Sequence, residues 1–152
     1  MKSIPCLFAT AVFALPCIAL AGPEEDLQVI SEAIAEMVTA ESMISTALDG
    51  ECGKYAPEDF RLTRVAMRQK IEDLKNALSP DSKQRVDAQL ASNEFKTELE
   101  TFRKKGVDET LSMVQSKSGN QVFSCGYVFG FLSPSVLRFD HAMARAAKHL
   151  AR

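Results

Sequence analysis

Val122-Phe123-Ser124-Cys125-Gly126-Tyr127-Val128-Phe129-Gly130-Phe131-Leu132 is the most apolar run of the chain outside its first 21 residues, and its reading decides the fold. As a strand it places Phe123, Cys125, Tyr127, Phe129 and Phe131 on one face; as a helix it makes one stripe of Val122, Cys125, Phe129 and Leu132. Both periods fit. The rest of the sequence separates them, because the other segments carry helical spacing and a lone buried strand would leave its edge groups unpaired. The run is therefore expected to be helical. Gly126 and Gly130 then share a side and would let another helix approach closely. Phe123, Tyr127 and Phe131 point away from the Cys125 stripe, so they need another helix, a ligand or a partner.

Upstream, Pro23 followed by Glu24, Glu25 and Asp26 opens a helix, since proline suits a first turn and acids complement the positive end of the helix dipole. It should run to about Asp49, with Gly50 as its stop and an apolar stripe through Leu27, Ile30, Ile34, Met37, Ile44 and Leu48. Ala56-Pro57-Glu58-Asp59 opens a second helix, which continues to about Leu78 with Phe60, Met67, Ile71, Leu74 and Leu78 as its stripe. In an antiparallel hairpin, facing residues have numbers that sum to a constant, and these stripes do so at 104 or 105. Glu41 and Arg64 fall in matching gaps at the same sum, which predicts a buried ion pair at the seam.

Ser79-Pro80-Asp81 caps a third helix, whose Val86 and Leu90 are out of phase with Phe95, Leu99 and Phe102, so a break near Ala91-Ser92-Asn93 is expected. Lys104-Lys105-Gly106 reads as a helix end, Asp108 as the cap of a shorter segment, and Ser116 to Gln121 as a loop. Ser133-Pro134-Ser135 is expected to end the Val122 helix and start a last one, with Val136, Phe139, Met143, Ala146, Ala147 and Leu150 turned inward. The fold class is thus all-α, a small up-and-down bundle of four to five helices.

Residues 1–21 read as a cleavable export signal: Lys2, then apolar residues from Ile4 to Leu20, then the small-x-small site Ala19-Leu20-Ala21. Cleavage would leave a single domain, residues 22–152, destined for the periplasm or secreted. Its formal charge would be −3, because 17 basic residues remain against 20 acidic ones. No second run of membrane-spanning length is evident in the sequence. Cys6 and Cys17 leave with the signal, so Cys52 and Cys125 remain as an even pair in an oxidising compartment, where a disulfide is expected. Closing that loop of about 74 residues would stabilise the fold by roughly 4 kcal/mol in the chain-entropy treatment.

Charge is segregated. Residues 22–53 hold eight acids and no Lys or Arg, whereas the last helix carries Arg138, His141, Arg145, Lys148, His149 and Arg152 against Asp140 alone. Either the two helices are complementary neighbours, or one face, with Glu32 and Glu36 or Arg138 and Arg145 as contacts, meets a charged partner. Peripheral contact of the basic helix with an anionic membrane is the lesser alternative, because its alanine-rich stripe has little bulk to insert. Export, negative net charge and the lack of a recognition motif exclude nucleic acid.

Chemistry is poorly represented. There is no C-x-x-C-H, no H-E-x-x-H and no cysteine cluster, and His141 and His149 stand about 12 Å apart along a helix, so no metal and no cofactor is expected. Both histidines read as solvated surface groups. Ser124 is not in a G-x-S-x-G elbow, and Asp140 and His141, being adjacent, face different ways. No enzyme is expected. Over six residues, Cys125-Gly-Tyr-Val-x-Gly130 resembles a Cys-x-Gly-Tyr helix of some small exported immunity proteins of bacteria. The spacing differs and a second cysteine-rich half is missing, so no family follows from it. The expected function is non-catalytic binding of a protein partner, of the immunity, inhibitor or assembly-factor type. The alternative is a small-ligand carrier with an aromatic pocket near Phe102, Tyr127 and Phe129.

Overall fold

The computed structural model describes residues 23–151, so the export-signal reading and Arg152 lie outside the described residues. Among the described residues there are six α-helices: α1 (Pro23–Asp49), α2 (Glu58–Asn76), α3 (Pro80–Ala91), α4 (Asn93–Arg103), α5 (Thr110–Ser118) and α6 (Gln121–Leu150). No strand occurs among the described residues. α2 returns antiparallel to α1; α3, α4 and α5 climb back as one interrupted column; α6 descends beside α1 over nearly its whole length. The result is an all-α, up-and-down bundle.

Its axis is the α1–α6 pair. Ile34, Met37 and Ile44 of α1 and Cys125, Val128, Phe129, Leu132 and Phe139 of α6 are almost wholly buried. Phe60 of α2 closes one side, its ring 5.0 Å from that of Phe129. The Cys52–Cys125 disulfide joins the turn after α1 to the second turn of α6, and both cysteines are buried.

Local chemistry explains most boundaries. Ser79 and Ser92 cap α3 and α4 by accepting from the backbone N–H groups of Ser82 and Phe95, and Ser92 makes the break expected there. Gly119 takes a left-handed conformation (φ 62°) at the end of α5. Asn120 then caps α6 by accepting from Phe123 N at 3.1 Å.

Three expectations need correction. First, the C-terminal region is one 30-residue helix, not two: α6 runs through Pro134. The proline lacks an N–H and displaces the carbonyl four residues back, but that carbonyl belongs to Gly130, and both residues lie on the exposed side. The buried stripe Leu132, Ser135, Phe139 continues unbroken past the proline and holds the helix together. As one helix, α6 is long and apolar enough to cross a bilayer by length and composition; here it is the core helix of the bundle.

Second, α4 ends with its cap at Lys104 as expected, but the chain does not leave helical geometry there, and Asp108 caps nothing. The chain passes from α4 to α5 through a wide π-helical turn, Lys104–Glu109. At Gly106 the turn meets α1: a Cβ there would stand 2.3 Å from Met43 Cε, the flexible end of that side chain.

Third, Glu41 does not pair with Arg64. Arg68 Nε donates to Glu41 Oε1 at 2.5 Å, and Arg64 Nη1 to Asp49 Oδ1 at 2.6 Å. Helical side chains lean toward their own N-terminus. In an antiparallel pair this makes ion pairs close out of step with facing backbones, by about one turn for Glu41–Arg68 and about two for Asp49–Arg64. The Glu41 carboxylate is mostly buried, with 13% of its side chain exposed, and also accepts from Ser45 Oγ at 2.6 Å, whereas Arg68 is over half exposed. Glu41→Gln should therefore cost about 1 kcal/mol in urea unfolding, in the range for charge-assisted bonds at a half-open site. Glu32→Gln should leave the midpoint unchanged.

Candidate functional site

α6 presents a continuous apolar face to solvent over its first half. Asn120 caps it and Cys125 pins it to Cys52, so this surface sits on a fixed element rather than a loop. From Gln121 to Leu137 there is no charged residue. Phe123, Tyr127 and Phe131 are 60%, 49% and 50% exposed, with Val122 and Leu137 also largely open. At 100° per residue these side chains, with Gly126, Gly130 and Pro134, occupy the half of the helix opposite its core stripe.

Gly126 and Gly130 correct the expectation that they pack another helix inside the bundle. A Cβ built at either meets nothing within 4 Å. Glycine inside a helix costs roughly 0.5–1 kcal/mol relative to alanine. Neither glycine makes room for a neighbouring group within the fold. Gly126→Ala should accordingly raise stability by about 0.5–1 kcal/mol, read as a higher urea midpoint.

The aromatic face extends onto α5. Phe123 and Tyr127 share a depression of about 390 Å³ with Met113, Val114, Lys117 and Ser118. Met113 is itself 48% exposed. Nothing in the local sequence singles out Met113, which joins the face only because α5 packs along α6. Leu62 and Val65, on the outer side of α2, are also exposed apolar residues.

The charged candidates behave differently. Arg145 Nη2 pairs with Glu36 Oε2 at 2.8 Å, so these two satisfy each other across the α1–α6 seam. Asp49 pairs with Arg64, Glu41 with Arg68, Asp26 with His149, and Glu24 with Arg85. The Arg85 guanidinium holds the Glu24 carboxyl below its usual range. Much of the charge segregation is thus complementarity between neighbouring helices. His149 is not a solvated surface group: its Nδ1 lies 2.5 Å from Asp26 Oδ1, with both side chains largely buried. Glu32 is exposed and accepts from Gln28 Nε2 at 3.0 Å, while Arg138 is exposed and makes no ion pair among the described residues.

No protein-family model, curated protein or solved structure matches this chain. The site has to be read from its own geometry. Phe129 lies in the core against Phe60, Tyr127 lines the α5–α6 depression, and Phe102 lines a separate groove beside α4. The three aromatics named for a carrier pocket are not brought together. Among the described residues no group of three or more His, Cys, Asp and Glu side chains is placed to hold a metal.

Proposed function

We propose that this is an exported, non-catalytic binding protein of the periplasm or the cell exterior, acting by contact with a protein partner in the manner of an immunity, inhibitor or assembly factor. One observation carries the reading: an uncharged aromatic face on α6, notched by a glycine that the fold does not use. Half-exposed Phe and Tyr on a rigid helix supply contact area at little entropy cost, and aromatic residues are enriched at interface centres. The notch at Gly126 suits a crossing helix, whose backbone can approach where no Cβ stands.

The test is native co-purification from a cell-envelope extract, comparing the natural chain with Phe123→Ser/Tyr127→Ser. The reading expects one stoichiometric protein, lost with the double variant while its fold is kept. Retention of that protein by the double variant, or flotation of the purified chain with anionic vesicles through the same residues, would overturn it.

A further inference from the structure

A second surface, separate from the α6 face, lies between α4 and α6 with α1 as its floor. α4 runs along α1 in the same direction, anchored where Arg103 Nε donates to Thr46 Oγ1 at 2.7 Å. α6 runs the opposite way, anchored by Arg145–Glu36. The two helices stand apart, and the α1 stripe of Ala35, Thr39 and Met43 is left open between them. This trough encloses about 730 Å³. From Glu32 to Met43 it is about 16 Å long at 1.5 Å per residue, the length of roughly three helical turns.

Its surfaces are of two kinds. The floor is largely apolar: Ala35, Ala40 and Met43 from α1, with Phe95 and Phe102 from α4 beside them, and Thr39, whose hydroxyl donates to Ala35 O at 2.9 Å. Phe102 remains 44% exposed there. The rim is acidic, with Glu32 and Glu36 of α1 along the floor's edge and Glu94 and Glu98 on the α4 wall, against Arg138 of α6 alone. Glu36 is engaged by Arg145, and Glu94 suits the first turn of α4, where the dipole favours an acid. Glu98 has neither explanation, and neither it nor Glu94 forms an ion pair among the described residues. A largely apolar floor edged by carboxylates complements an amphipathic helix with an apolar face and cationic flanks.

We infer that this trough docks a cationic amphipathic helical segment of a protein partner, with apolar side chains over Met43 and Phe102 and basic side chains at Glu32, Glu94 and Glu98. The site is independent of the α6 aromatic face. Opposite charge accelerates docking and rejects acidic segments, and the interaction weakens with salt.

The probe is a fluorescent 18-residue peptide that places leucine on one helical face and lysine on the other, titrated onto the signal-free chain by anisotropy. A lysine-to-glutamine analogue is the control. Expected are saturable binding at least tenfold weaker for the analogue, a similar loss with Glu94→Gln/Glu98→Gln, and loss with Ala35→Trp, which fills the floor without removing charge. Phe123→Ser/Tyr127→Ser should bind the peptide as the natural chain does, which separates this site from the proposed partner face. Equal binding by the Glu94/Glu98 variant, undiminished binding by Ala35→Trp, or equal binding of the glutamine analogue would overturn the inference. So would a dimer of the chain alone, in sedimentation, that dissociates on Glu94→Gln/Glu98→Gln, since the trough's occupant would then be a second copy.

Discussion

Refolded under strong reductant, the chain should lose about 4 kcal/mol of stability, the chain-entropy value for a bridge that spans 73 positions in sequence. That is a large share of the roughly 5–15 kcal/mol that holds a typical domain together. The loss should be concentrated in the unfolded ensemble, because the bridge joins the end of the α1 turn to the start of α6 and α6 keeps its apolar stripe without it. Cys52→Ala/Cys125→Ala should show the same drop in urea midpoint with helical circular dichroism retained. Both sulfurs are buried, at 1% and 0% exposure for their residues, so the folded chain should also resist reductant far longer than the denatured one. An unchanged midpoint after reduction would mean that the bridge does not form in the protein.

Phe129→Ala should cost about 3–5 kcal/mol, the range for emptying a large aromatic from a core. Phe129 is 2% exposed and touches Phe60, so its removal opens a cavity at the α2–α6 contact that neither helix can close without leaving α1. Phe131→Ala, two residues along and half exposed, should stay within about 0.5 kcal/mol of the natural chain. The contrast reads the helical phase of the region directly. On a strand both side chains would lie on one face, and the two substitutions would have comparable effects.

The all-α class, the first hairpin and the cysteine pair were legible because each rests on local chemistry: helix openings with proline and acids, period-3.6 stripes, and an even pair of cysteines outside the first 21 residues. The break at Ser92 was legible for the same reason. The errors arose where tertiary packing overrode a local signal. Pro134 reads as a boundary, yet it and Gly130, four residues back, lie on the exposed side and the buried stripe carries the helix past it. Lys104-Lys105-Gly106 reads as a helix end, yet the chain passes on through a π-helical turn there, with Gly106 packed against Met43. The Glu41–Arg64 pairing treated side chains as if they projected straight across the seam. Of the candidate site, the outward aromatics were visible from their phase on α6. Met113 and the trough between α4 and α6 were not, because both depend on how helices far apart in sequence pack together.

The central claim is that the outer face of α6 is kept apolar and notched for a partner rather than for the fold. Partner recovery by Gly126→Leu tests it most directly. The side chain enters open space, so the bundle should fold with at least its natural stability, yet the notch is filled. The expected result is at least a tenfold drop in the co-purified protein at equal amounts of folded bait. Full recovery of that protein by Gly126→Leu would contradict the claim.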